Sequence, residues 1–255
     1  MGAELKKKTV EAYDNYLAAV EQQTDEEQRG SEFFWGRVPP QDQKLQGGEV
    51  LVYRASAEKQ SKHVPDGLLH HWSGFIFMPK ANLQQLLTLL QDYDHHAEYY
   101  KPEVAQSKLL HRDGDHFQVF LRFVKKKVIT VVLNTEHDVR YTKLDANRAY
   151  SRSHTTRVAE VDSPGKANEH EKAPGTGEGF MWRMDTYWRF LEKDNGVYVR
   201  CDAISLTRDI PTGLGWLIGP FITSIPKDSL VFTLTSMRNA ISKRLVADQS
   251  SPNRQ

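Results

Sequence analysis

A single cysteine, Cys201, stands among the 255 residues, which excludes an internal disulfide framework and any multi-cysteine zinc site without fixing the compartment. No run of uncharged apolar residues approaches the length of about 18 that marks a membrane-spanning helix. The amino terminus is polar where a secretory apolar region would sit. The chain is therefore expected to be soluble. Its start, Met1, Gly2 and Ala3, equally suits a junction left after removal of a targeting segment, so cytoplasmic and exported locations both stay open. An excess of either charge is missing as well. Lys and Arg number 34 against 33 Asp and Glu, net +1, so no global field would hold a polyanion and nucleic acid is not expected as a partner. No GxSxG elbow, HExxH, P-loop or GxGxxG occurs, nor any internal repeat or heptad run. No catalytic residue, metal site or cofactor is assigned.

What the chain does have is periodicity. Near its end, Leu230, Leu234, Met237 and Ile241 recur at spacings of four, three and four, one apolar stripe of a helix predicted over residues 226–245. Pro226 suits the first turn, Asp228 sits near the positive end of the dipole, and Lys243 and Arg244 close the other end. Upstream, long alternating segments predict antiparallel strands over 104–112, 116–124, 128–141, 148–161, 180–192 and 197–208. Asp113-Gly114 and Asn195-Gly196 stand as hairpin turns. The run LLHHWSGFIFM at 68–78 carries bulk on both faces, so both are expected to be covered, and a helix is predicted over 81–100. Residues 4–29 read as an amphipathic helix with Tyr13, Tyr16, Leu17 and Val20 on one face. Phe33, Phe34 and Trp35 are expected to tuck this arm onto the body. The polar stretch 162–179 reads as a mobile surface loop.

The order of these pieces is informative: a strand, a helix ending in LLQDYDHHAEYYKPEV, a run of long strands with the hairpin WRFLEKDNGVYVRCD, then a closing amphipathic helix after Ile-Pro. Over residues 67–245 it resembles the helix-grip fold of the START and SRPBCC superfamily, which includes lipid-transfer domains, pollen allergens, polyketide cyclases and coenzyme Q-binding proteins. The amino-terminal arm, the insertion near 165–179 and the apolar GLGWLIGPF depart from that pattern. The resemblance implies an α+β fold, a curved antiparallel sheet wrapped around a long carboxy-terminal helix, with an extra amino-terminal helical arm. Expected boundaries are 1–48 for the arm and linker, 49–246 for the START-like domain and 247–255 for a disordered tail.

It also implies a cavity between the concave sheet face and the last helix, for a hydrophobic small molecule that is a lipid, a quinone or polyketide-like. Alternation places Phe117, Val119, Leu121, Phe180, Trp182, Met184, Trp188, Val199, Cys201, Leu230, Leu234 and Met237 on its wall. The inward set inverts wherever a strand slips by one residue. The same residues also suit a closed core. Asp138, Arg152 and His154 are candidate polar groups inside, and with them a cyclase, dehydratase or hydrolase chemistry is the alternative to binding or transfer. A third reading has the amino-terminal arm docking a partner. The stretch GLGWLIGPF, with Gly213 at its start and Phe221 at its end, is either an apolar loop packed under the helix or a gate that touches a membrane during ligand exchange. The triplet Lys125, Lys126 and Lys127 reads as a solvated turn, or as a contact for anionic lipid heads. The His70-His71 and His95-His96 pairs diverge at regular geometry and do not chelate. Cys201 lies mid-strand and reads as packing rather than nucleophile. A monomer or weak homodimer is expected.

Overall fold

The computed structural model describes residues 2–30, 33–36, 38–55, 62–127, 129–209, 213 and 224–249. The chain opens with β1 (Ala3–Glu4), α1 (Lys7–Arg29) and a short α2 (Asp42–Gln46). Next come β2 (Leu51–Arg54), β3 (Lys62–Val64), β4 (Gly67–Pro79) and α3 (Leu83–Leu90), then a 3-10 turn at Tyr93–His95 and α4 (His96–Tyr99). The long strands are β5 (Val104–Asp113), β6 (His116–Lys126), β7 (Thr130–Lys143) and β8 (Arg148–Asp162). After the two-residue β9 (His170–Glu171) and β10 (Thr176–Gly177) come β11 (Arg183–Glu192), β12 (Gly196–Arg208) and α5 (Ile225–Gln249).

Among the described residues the main sheet runs β2-β4-β12-β11-β8-β7-β6-β5, with β3 added along β4 and β9 along β8. Every pairing is antiparallel. Hairpin follows hairpin from β5 to β8 because the turn residues between the runs tolerate reversal, Gly114 at φ +57° among them. The second hairpin turns one residue earlier than its Asn-Gly dipeptide predicts. Asp194 and Asn195 hold the left-handed conformation (φ +57° and +56°), and Gly196 already pairs with Pro79. A Cβ on Gly196 would stand 2.6 Å from the Met78 carbonyl oxygen, so close approach rather than turn geometry requires glycine there.

The strand β4 is buried from Gly67 through Met78 because each face is covered by a different layer. Toward the concave side, α5 lies on it at Gly74, where an added Cβ would be 2.7 Å from Leu234 Cδ1 and 2.9 Å from Leu230 Cδ2. Toward the convex side, Phe33, Phe34 and Trp35 pack on Phe75, Phe77 and Tyr198, with Trp35 stacked on Phe75 at a ring separation of 5.1 Å. Farther along the same face, Tyr13 of α1 is buried against Leu69, Tyr187, Ile204 and Leu206, with Tyr16, Leu17 and Val20 beside it.

Two expectations change. The helix predicted over 81–100 is interrupted after Leu90, because the Asp92 carboxylate accepts from the Tyr99 hydroxyl, the His95 ring and Arg244, each at 2.6 Å, and holds the chain in a turn. The stretch 162–179 is tied down rather than free. Its β9 pairs with the end of β8, and its β10 pairs with β1.

Candidate functional site

The seat of α5 is one side of the concave face, chiefly β4 with contacts to β2 and β12. Over the strands beyond, the sheet curves away and leaves a hollow of about 280 Å³ among the described residues. Leu230, Phe232, Thr233 and Met237 of α5 roof it, β6, β7, β8, β11 and β12 form its floor, and Leu90, Tyr93, His96 and Tyr100 close one end. The inward residues follow the two-residue period of each strand, as with Met184, Thr186, Trp188 and Phe190 on β11.

Eight of the twelve apolar residues read from the sequence line this hollow: Val119, Leu121, Phe180, Met184, Trp188, Cys201, Leu230 and Met237. The other four lie elsewhere. Phe117 is on the same strand face but is covered by Tyr93 and Tyr141, whose rings stand 5.4 and 5.6 Å from its own. Val199 and Leu234 are wholly buried in the main core, where Leu234 presses on Gly74. Trp182 is on the opposite side, against Tyr13 and Leu206. Strand alternation begins only at Arg183; just before it, Phe180 and Met181 both reach the hollow, so the parity that predicts Trp182 inward does not extend to it.

Asp138, Arg152 and His154 are not among the residues lining the hollow, and all three sit on the convex face. His154 Nδ1 bonds Asp185 at 2.7 Å, Arg152 pairs with Asp25 of α1, and Asp138 Oδ2 is 2.5 Å from His116 Nε2. Their inward neighbours are Ser151, Ser153, His137 and Val139. The sequence RAYSRSHTT is polar on both faces, so alternation there gave two faces without saying which is inside. Of the lysine triplet, Lys126 and Lys127 are exposed at the turn between β6 and β7, as expected, whereas Lys125 is half-buried. Lys125 pairs with Glu103 at the edge of the hollow and stands 5.8 Å over the Phe232 ring, and Lys127 reaches Ser224 and Asp228 at 3.0 and 3.1 Å. Burial pushes the Glu103 carboxyl up, against the opposing pull of Lys125. The stretch from Gly213 to Phe221 lies, apart from Gly213, outside the described residues.

Buried polar residues on the floor include Ser151, Thr207 and the titratable His137, which is 4% exposed. Its Nε2 is 2.8 Å from Thr135 Oγ1, and that hydroxyl donates to the Leu121 carbonyl at 3.1 Å. A hydroxyl has one proton, so Thr135 must accept from His137 and the ring proton sits on Nε2. Nδ1 is then a lone-pair acceptor, 3.5 Å from Ser153 Oγ. Burial lowers the His137 pKa to about 4, so the ring is neutral near pH 7. At the closed end, the Tyr93 and Tyr141 hydroxyls meet at 2.9 Å, and burial raises the pKa of each. Burial also raises the Cys201 thiol, which stays protonated. Among the described residues no group of His, Cys, Asp and Glu has the arrangement to hold a metal ion. His70 and His71 point apart, toward Thr207 Oγ1 and toward the Tyr16 hydroxyl of α1.

The chain matches no protein-family model and no curated protein sequence. Among solved structures it is similar to human STARD10, with a TM-score of 0.51 and 10% identity, covering 83% of this chain and 84% of that one. The fold is of the START/SRPBCC type. Similar too are a STAR-related lipid transfer protein fragment from Xanthomonas axonopodis (TM-score 0.49, 16% identity, 72% of this chain and 98% of that one) and the Zhui aromatase/cyclase from Streptomyces sp. R1128 (0.44, 14%, 69% and 96%). At such identities the likeness to START-type structures is one of fold alone. No helix of the described residues is long and apolar enough to cross a membrane.

Proposed function

We propose that this START-type chain binds, and by exchange transfers, one hydrophobic small molecule held between the sheet and α5. The observation that carries this reading is the hollow itself, mostly apolar and roofed by a helix that seats firmly at only one side. Its volume of about 280 Å³ falls just below the usual range of ligand sites, roughly 300–1,000 Å³. That favours a compact polycyclic or single-chain molecule, quinone-, polyketide- or monoacyl-like, over a lipid with two long tails. The His137 Nδ1 lone pair, held only by the long contact to Ser153 Oγ at 3.5 Å, adds a preference for a ligand bearing a hydroxyl, which would bring a donor to ordinary hydrogen-bond distance. The cyclase, dehydratase or hydrolase alternative rested on Asp138, Arg152 and His154. Their place on the convex face favours binding over chemistry.

Extraction of the purified protein, followed by mass spectrometry, is expected to release a lipophilic molecule, and a fluorescent fatty acid is expected to bind one per chain. Ala203 lines the floor, so Ala203→Phe should fill the space and weaken the probe at least tenfold with the far-UV spectrum unchanged. A wild-type protein that carries nothing and binds no probe, or a variant that binds as well as wild type, would overturn the proposal.

A further inference from the structure

Most polar groups at the closed end of the hollow satisfy one another. The Tyr93 and Tyr141 hydroxyls meet at 2.9 Å, and the Leu90 carbonyl accepts from the His96 ring at 3.0 Å and from Tyr141 at 3.4 Å. Two hydroxyls beside them stand apart. Tyr100, at the end of α4, and Ser151, on β8, both border the hollow and are 7% and 2% exposed. Neither side-chain oxygen has a hydrogen-bond partner among the described residues, and neither is sealed inside the protein. The Trp72 indole nitrogen differs from them, because it also lacks a partner but has almost no accessible surface.

Sheet register brings the two hydroxyls to one place. Ser151 pairs with Tyr141 on β7 and with Trp188 on β11, and Trp188 pairs with Cys201 on β12. Tyr100 closes over the same row. Burial first, then the nearby Tyr141 hydroxyl and Cys201 thiol, raise its pKa, so the phenol keeps its proton near pH 7. A buried hydroxyl without a partner is uncommon, and for these two the partner has to come from whatever fills the hollow. Two O–H donors at one spot suit an acceptor with two lone pairs, which a carbonyl oxygen supplies.

We propose that Tyr100 and Ser151 form a seat for a carbonyl oxygen, and that the ligand of the hollow is a compact ring ketone or quinone lying with that oxygen toward the closed end. This rests on the binding role put forward above and narrows its ligand class. An acyl chain entering tail first lays methylenes against both hydroxyls and leaves them unpaired. Entering head first, it buries a carboxylate beside His96, which burial keeps neutral at pH 7 and which therefore offers no compensating charge. A ring carbonyl pairs the hydroxyls and sets its apolar remainder against Trp188, Leu230 and Met237. His137, four residues before Tyr141 on β7, is left to meet a second oxygen farther along the ring system.

The test uses the full chain and displaces the fluorescent fatty acid with two tricyclic molecules of one skeleton, fluorene and its ketone, fluorenone. Tyr100→Phe should weaken fluorenone about tenfold and Ser151→Ala by several-fold, and neither should change the affinity for fluorene. The infrared carbonyl stretch of bound fluorenone should lie below its value in hexane, and Tyr100→Phe should return it toward that value. If Tyr100→Phe does not fold, Ser151→Ala carries the same comparison. Fluorenone that fails to displace the fatty acid, equal losses for the two probes, variants that bind fluorenone as well as wild type, or a bound stretch at the hexane value would overturn the seat while the fatty acid still reports a binding hollow. A wild-type chain that binds neither the fatty acid nor either tricycle fails at the binding role itself, and the seat falls with it.

Discussion

On the floor of the hollow, His137 is a buried residue that can titrate. Its folded pKa of about 4 lies below the ordinary 6.5 because burial disfavours the imidazolium. In that window the unfolded chain binds the extra proton and the folded chain does not, so stability is fully present above pH 6.5 and is lost as pH falls toward 4. At about 1.4 kcal/mol per pKa unit the loss from this one group approaches 3 kcal/mol at pH 4. His70 and His96, each also lowered to about 4 by burial, add to it in the same direction. Urea denaturation between pH 7 and 4.5 is expected to show a falling midpoint. His137→Gln keeps a donor toward Thr135 without a titrating ring and should flatten the slope by the share of one group. An identical slope in the variant would mean that His137 is not buried in the neutral form.

At the scale of elements, the seating of α5 depends on what β4 lacks. Gly74 lets Leu230 and Leu234 approach the sheet backbone, and the helix crosses there with Met237 and Ile241 extending the same buried stripe. Gly74→Val would put branched carbon where two leucines already stand, and overpacking of this kind costs about 1–3 kcal/mol. A fall in thermal midpoint together with weaker probe binding in the hollow is the expected result. A variant as stable as wild type would show that α5 is seated elsewhere. The edge of the sheet at β5 is managed differently. β5 is an outer strand in the sheet order, and irregularities at Val104/Gln106 and Leu109/His111 break its register with β6, a feature that discourages pairing with another chain.

For the molecule as a whole, α1 is bound through buried charge as well as through apolar packing. Glu27 of α1 pairs with Arg189, which is 1% exposed, and lies 3.5 Å from Arg200 Nη1. Arg200 Nη2 in turn donates to Asp202 at 3.1 Å, and Ser73 bonds the same carboxylate. Burial alone would raise the Asp202 carboxyl, but Arg200 and Arg189 hold it below the usual range. Removing one side of such a network leaves a buried charge uncompensated, at a cost of about 3–5 kcal/mol. Deletion of residues 2–30 is therefore expected to abolish the cooperative thermal transition and the near-ultraviolet signal. A truncated chain that melts within a few degrees of the full one would show that the sheet and α5 are self-sufficient.

The architecture was legible in the amino-acid order, because a two-residue period for strands, a 3.6-residue period for α5 and turn dipeptides between them are local properties of the chain. So was much of the wall of the hollow: Val119, Leu121, Met184, Trp188 and Cys201 follow from alternation within strands whose two faces differ in polarity. Tertiary structure decided the rest. Which face of β8 looks inward depends on its partners, since Arg152 and His154 are drawn outward by Asp25 and Asp185 and nothing in their own strand records those acids. Whether Phe117 and Leu234 border a space or vanish beneath Tyr93 and onto Gly74 depends on the distance at which the helices settle over the sheet. That distance is set by contacts between residues far apart in the chain, which local pattern does not encode.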